Sequence, residues 1–180
     1  MRSSRWLREL CYTALCGALI SVTALISIPL PSAVAITLQT FGIYFSLFFL
    51  GGRLGTASTV LYILLGAVGL PLFSGFTGGV SRLFDATGGF IFGFAFAALI
   101  YWLTVFIGGE RVKILAAVIS ILALYLIGAL WYSSVYLGEE GGFAAALTVC
   151  VLPFIIPDAI KISLAYIISK RLTRALRRAL

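Results

Sequence analysis

The chain has no histidine, only six acidic residues in 180, three cysteines and a charged fraction of 11%. Without histidine it lacks the commonest general base and metal ligand. No carboxylates pair at helical spacing and no nucleophile stands beside a base, so an enzyme is the least supported class, with neither catalytic residues nor metal ligands expected. No Gly-x-x-x-x-Gly-Lys-Ser/Thr run occurs, which excludes nucleotide hydrolysis by the phosphate-loop route. Cys11, Cys16 and Cys150 are odd in number, have no metal-ligand spacing and fall in apolar segments. They are expected to be small buried hydrophobes. The shortage of charge excludes a water-soluble core. No short apolar region with a small-residue cleavage pattern opens the chain, so its first apolar run is expected to remain as a helix.

What is present is apolar: 62% of residues are hydrophobic and the mean hydropathy is strongly positive, as in polytopic membrane proteins. Apolar runs at roughly 6–28, 38–50, 56–73, 88–107, 114–136 and 143–169 predict six transmembrane helices in one membrane domain over 1–180. The second run is short, so it must tilt, thin the bilayer locally or extend into its neighbours. Charge bias tests this count. Arg2, Arg5, Arg8, Arg53, Arg111, Lys113 and the terminal Lys170, Arg171, Arg174, Arg177 and Arg178 fall on one side, which the positive-inside rule makes cytoplasmic, with both termini. Asp85, Glu139 and Glu140 fall on the other, with Arg82 as its one base. The net charge of +7 is therefore a topology signal. A nucleic-acid role is not expected, and the basic end can lie on anionic membrane lipid.

Inside the last apolar run stand Asp158 and Lys161. Ionisable groups in hydrocarbon cost at least ~2.5 kcal/mol each, so they usually face a bundle interior or cavity. Three residues apart on a helix, they share a face and can compensate each other or grip one ligand. Pro157 suits the first turn of a helix, and Pro153 implies a bend near mid-membrane, so a broken helix is expected beside a site.

Other segments offer supporting groups. Prolines favour an extended first outward loop, 28–40, in which Thr37, Gln39 and Thr40 can hydrogen-bond a ligand, or Thr37 can cap the second helix. The Gly-rich stretch 74–90 reads as a lid or a plain connector, with Phe73, Phe76 and Phe90 as flat walls. Arg82 and Asp85 read as a solvated pair, or Arg82 as the partner of an anionic ligand group. In the first helix Ala14 and Ala18 let another helix approach closely, within the monomer or from a partner. The fifth run, with Trp131, Tyr132 and Tyr136 near its outer end, reads as scaffold.

Four stretches, Ile36-Thr37-Leu38-Gln39-Thr40-Phe41, Tyr62 to Phe73, Thr87-Gly88-Gly89-Phe90 and Pro153 to Lys161, come in order over nearly the whole chain. Together they resemble BioY, the biotin-specific substrate-binding (S) subunit of energy-coupling factor (ECF) transporters. Departures fall in 81–86, where the family usually has a more apolar run ending in Pro, and at Phe90, where Tyr is common. The resemblance implies a six-helix S-component bundle in a prokaryotic cytoplasmic membrane and a biotin pocket open to the outside. It also implies a transmembrane coupling (T) protein docking on Ala14 and Ala18, and two ATPase subunits that alone use ATP. No cofactor is expected in this chain.

Biotin combines a neutral ureido head, an apolar thioether ring and tail, and a carboxylate. The expected pose has Asp158 accepting from a ureido N–H and Lys161 donating to the ureido oxygen, the two charges compensating each other. Phe41, Tyr44, Phe73 or Phe76 would pack on the ring, Thr37 and Gln39 would close the pocket, and the carboxylate would point outward, towards Arg82. The reversed pose puts Lys161 on the carboxylate, and a salt link without a ligand is a further reading. The functional alternatives are an S subunit for another vitamin and a stand-alone proton-coupled carrier using Asp158 as relay.

Overall fold

A computed structural model describes residues 2–29, 34–106 and 108–179. The loop readings on residues 30–33 and the side chains of Arg2, Glu139, Glu140, Arg177 and Arg178 lie outside the described residues. The described chain is helical: α1 (Arg2–Leu25), α2 (Gln39–Leu50), α3 (Gly52–Ala67), α4 (Gly88–Val105), α5 (Glu110–Tyr132), α6 (Gly138–Cys150) and α7 (Leu152–Ala179). A short antiparallel ribbon of β1 (Ser27–Ile28) and β2 (Ile36–Thr37) joins α1 to α2, pairing Ser27 with Thr37 and Ile28 with Ile36. A 3₁₀ turn at Val80–Leu83 precedes α4, and a π-helical turn at Ser133–Leu137 extends α5.

Among the described residues four segments are long and apolar enough to cross a membrane: Arg5–Leu25, Gly88–Val105, Glu110–Leu137 and Leu152–Leu176. The shortest helix, α2, forms the hub. It packs on α1, α3, α4 and α7, and from Gln39 to Leu47 nearly every residue is buried. Its all-round hydrophobicity thus reflects burial in the bundle. Outward-facing Leu15, Leu122 and Ile156, each 60% exposed or more, leave an apolar exterior of the kind that contacts lipid.

The boundaries differ from the expected ones where capping and turn residues act. The first helix stops at Leu25 and its expected last residues become β1. α3 begins at Gly52 and ends at Ala67, because Gly69 at φ +114 and then Pro71 turn the chain away. The expected sixth helix is two, α6 and α7, broken at Val151 with φ −120 and ψ −54. Pro153 has no N–H for the carbonyl four residues back, so α6 cannot run on. Pro153, not Pro157, occupies the first turn of α7, and Pro157 lies inside that helix. Cys16 and Cys150 are buried as expected, but Cys11 is exposed on the outward side of α1.

Close packing at α2 and α3 depends on Gly55: a Cβ there would meet Leu47 Cα at 2.7 Å and the Ser46 carbonyl at 2.9 Å. Backbone cannot yield as a side chain tip can. Gly55→Val is expected to cost about 1–3 kcal/mol of stability, read as a lower Tm in detergent.

Candidate ligand-binding site

The site is built where α7 starts. The break at Val151 and Pro153 sets the helix, and Asp158 and Lys161 then share one inward face. Lys161 Nζ donates to Asp158 Oδ1 at 2.8 Å, and Tyr125 of α5 donates its hydroxyl to Oδ2 at 2.9 Å. Asp158 is 3% exposed and Lys161 7%. Each carboxylate oxygen therefore has a donor, and the ammonium, with three donors, spends one on Asp158. The acid retains lone pairs and the base retains protons for a ligand.

The facing wall comes from the start of α2 and from α3. Thr37 Oγ1 accepts the backbone N–H of Gln39 at 3.3 Å at the start of α2, and both residues line the cavity. Gln39 Nε2 and the Tyr62 hydroxyl are buried with no hydrogen-bond partner, the only such side-chain atoms among the described residues. Both residues line the same cavity as Asp158 and Lys161. Leaving a buried polar group unpaired costs about 1–3 kcal/mol, so two in one cavity mark a place where a polar ligand or water can supply the missing bonds.

The roof is the loop after α3. Phe73 and Thr77 exchange backbone hydrogen bonds at 2.8 and 3.3 Å, and the Phe73 ring meets Tyr62 edge to face at 5.7 Å. Gly66 is required beneath it, since a Cβ there would overlap the Phe73 ring. Arg82 reaches the mouth while bonded to Asp85 at 2.7 Å. Asp85 is itself tied down, its Oδ1 accepting the Ala86 N–H at 2.8 Å and its carbonyl accepting Trp131 Nε1 at 3.0 Å. The solvated pair and the cavity-mouth cation are thus the same residues.

The resulting cavity holds about 160 Å³, with Phe73, Phe90, Phe94 and Phe154 among its walls. Of the residues expected from sequence, Thr37, Gln39, Phe73, Arg82, Asp158 and Lys161 converge on it. Phe41, Tyr44 and Phe76 stand outside its lining. Phe41 stacks on Phe45 at 6.0 Å, and Tyr44 is buried against Ser120, hydroxyl to hydroxyl at 2.8 Å. Phe76, at φ +56, is 69% exposed at the loop tip. Ala14 and Ala18 both face outward on α1.

Sequence reasoning missed Tyr125, and with it the part α5 plays beyond scaffold. The available signal was a tyrosine far from either end of an apolar run, whose hydroxyl needs a partner when buried. Tyr62 was visible in a motif but without a role. The arrangement offers a charge pair and two unclaimed polar groups at the bottom, aromatic walls, and a cation at the mouth. That combination suits a compact polar head on an apolar body with an anionic end, and it holds no activated nucleophile.

Comparison with known proteins agrees with this architecture. The probable biotin transporter BioY of Pyrococcus horikoshii is 39% identical over 165 residues, 92% of this chain and 96% of the relative. The biotin transporter BioY of Thermotoga maritima is 34% identical over 168 residues, 93% and 97% of the two chains. A crystal structure of the S-component for biotin from an ECF-type ABC transporter matches with a TM-score of 0.83 and 26% identity, over 97% of this chain and 95% of the other. The S component of another bacterial ECF transporter, 16% identical with a TM-score of 0.59, shares the fold. These relatives are transport components, in keeping with the expectation that the chain is not an enzyme. The BioY family model matches residues 1–178, and with relatives aligned over almost their whole length the chain belongs to the BioY family.

Proposed function

We propose that this chain captures biotin at the outer side of a prokaryotic cytoplasmic membrane, as the S subunit of an ECF-type transporter. The observation that carries the reading is the cavity in which a buried acid–base pair meets the unpartnered Gln39 and Tyr62 side chains. The ureido N–H donates to Asp158, whose other bonds to Lys161 and Tyr125 hold it in place. Lys161 donates to the ureido oxygen. Gln39 and Tyr62 add polar contacts, Thr37 positions Gln39, Phe73 covers the thioether ring, and the carboxylate points to Arg82. Tyr44, Phe41 and Phe76 act at one remove, the first two behind the wall and the third on the loop that covers the ligand.

In this reading the whole chain, 1–180, is one membrane domain with six crossings. α6 and α7 together form the last, and both termini are cytoplasmic. Its support is the gathering of Lys113, Lys170 and Arg174 at one end of the bundle, while the ligand cavity opens beside the β ribbon at the other. The outward-facing Ala14 and Ala18 dock the T protein, and two ATPase subunits supply energy that this chain has no motif to provide.

The test is binding of radiolabelled biotin to the purified chain in detergent, with unlabelled biotin, thiamine and riboflavin as competitors. Displacement by biotin alone is expected. Displacement by another vitamin, or no binding by folded protein, sinks the assignment. Tyr62→Phe should leave the Tm of the empty protein unchanged or raised, because its hydroxyl has no partner to lose. It should weaken biotin binding by about three- to tenfold, the scale of one neutral hydrogen bond.

A further inference from the structure

Helices α5 and α7 are bonded to each other at two levels. Tyr125 meets Asp158 at 2.9 Å, and towards the opposite end Tyr166 and Lys170 reach Glu110 at 2.5 and 3.4 Å. Alongside these contacts α5, α6 and α7 frame a groove of about 730 Å³, lined by apolar side chains including Val118 and Leu122 of α5, Phe143 and Leu147 of α6 and Ile155 of α7. Val118 and Leu122 are 48% and 60% exposed, so the groove opens sideways. Ser163 also lines it, but its hydroxyl is spent on the Ala159 carbonyl at 2.7 Å. Tyr125 and Asp158 border both this groove and the ligand cavity and form the partition between them.

The groove does not end blindly. Phe48 and Tyr166 line it and also line a polar notch that holds Glu110, Lys113, Lys170 and Arg174. Lys113 and Lys170 both pair with Glu110, while Arg174 has no carboxylate partner among the described residues. Three cations against one carboxylate leave the notch positive, at the mouth of an apolar slot. From Ile155 to Ile167 the slot follows α7 for about 18 Å at the helical rise, close to the roughly 15 Å hydrocarbon depth of one leaflet.

We propose that the groove holds one acyl chain of an anionic phospholipid whose phosphate rests in the notch on Lys113, Lys170 and Arg174. Charge argues for a lipid over a partner helix: the apolar slot meets three cations and one carboxylate at its end, which matches an acyl chain joined to a phosphate. The expected docking face, moreover, lies on α1, which packs on α2 and α3. A free phosphate would explain the notch and leave the apolar slot unexplained. The lipid tail seals the membrane side of the Tyr125–Asp158 partition. The inference rests on the membrane orientation proposed above and not on which ligand the cavity takes.

The test is native mass spectrometry of the detergent-purified full chain, given equal amounts of phosphatidylglycerol and phosphatidylcholine. Wild-type protein is expected to retain one phosphatidylglycerol preferentially, undisturbed by millimolar inorganic phosphate. Lys170→Gln/Arg174→Gln should lower that preference by about fivefold per cation removed, the scale of one basic side chain at an anionic lipid surface. Val118→Trp, at the exposed rim, should block retention of either lipid by filling the slot. Equal retention of the two lipids by wild type, an unchanged preference in the double variant, or a dimer broken by Val118→Trp would each overturn the proposal. Biotin binding measured on the same samples separates the two readings. A protein that binds biotin without lipid preference sinks this inference alone, and one that retains the anionic lipid without binding biotin sinks only the ligand assignment.

Discussion

Lys161→Met is expected to destabilise the empty protein by about 3–5 kcal/mol, a Tm lower by roughly 10 °C for a chain of this size. The cost arises from what the substitution leaves behind. Asp158, 3% exposed, would keep only the Tyr125 hydroxyl, and an uncompensated carboxylate in a low-dielectric site must take up a proton or draw in water. Removing the whole network has the opposite consequence. In Asp158→Leu/Lys161→Met/Tyr125→Phe no charge and no hydroxyl is left without its partner, and buried ion pairs replaced by apolar groups of similar volume commonly cost nothing. The triple variant is expected to melt within a few degrees of wild type. Thermal unfolding in detergent reads both. If Lys161→Met melts like wild type, the pair is not the buried, mutually compensating unit described here.

Asp158→Asn should lose the ligand and, because it leaves the Lys161 ammonium buried without its anion, should also lower the Tm by an amount comparable to Lys161→Met, so its binding is read well below its melting temperature. Asparagine has nearly the same shape and its carbonyl can still accept from Tyr125, but the charged acceptor for the ureido N–H is gone. A hydrogen bond to a charged group contributes about 1.5–3 kcal/mol, so biotin affinity should fall roughly 10- to 150-fold. The same variant separates the two poses. With Lys161 on the ligand carboxylate, Asp158 competes for the ammonium, so Asp158→Asn would leave affinity unchanged or improve it, and the methyl ester of biotin would bind wild-type protein poorly. With the ureido head on the pair, the ester loses only its contact with Arg82, a partly exposed cation already bonded to Asp85, and should bind within about tenfold of biotin, since exposed ion pairs contribute about 1 kcal/mol or less. Equilibrium binding of biotin and its ester to both proteins decides between these outcomes.

The helical class was legible because hydrophobicity and charge placement are averages over long runs, which local packing does not disturb. Asp158 and Lys161 were legible because two ionisable side chains in an apolar run have few stable arrangements, and their bond at 2.8 Å is the one that helical spacing allows. The ends of elements were harder. Residues 27–28 lie in an apolar run, yet their backbone partners are in β2, eight or more residues away. Likewise Pro153 and Pro157 both signal a disturbed helix, and which of them begins it depends on the torsion at Val151. Tyr125 escaped because its role exists only across α5 and α7, thirty-three residues apart. Phe41, Tyr44 and Phe76 were grouped with the cavity by composition. Helix rotation turns Tyr44 to Ser120 instead, and a left-handed backbone at Phe76 carries its ring outward. Periodicity names the face of a helix but not its neighbour.

The most direct test is radiolabelled biotin binding to wild-type protein and to Asp158→Leu/Lys161→Met/Tyr125→Phe side by side, each first shown to unfold cooperatively at a similar temperature. The prediction is saturable binding by wild type and none by the triple variant, because the fold survives while the groups that hold the ureido head are gone. Wild-type affinity in the triple variant would contradict the account. The buried pair would then be a feature of the bundle alone, and the ligand would have to be held by other residues.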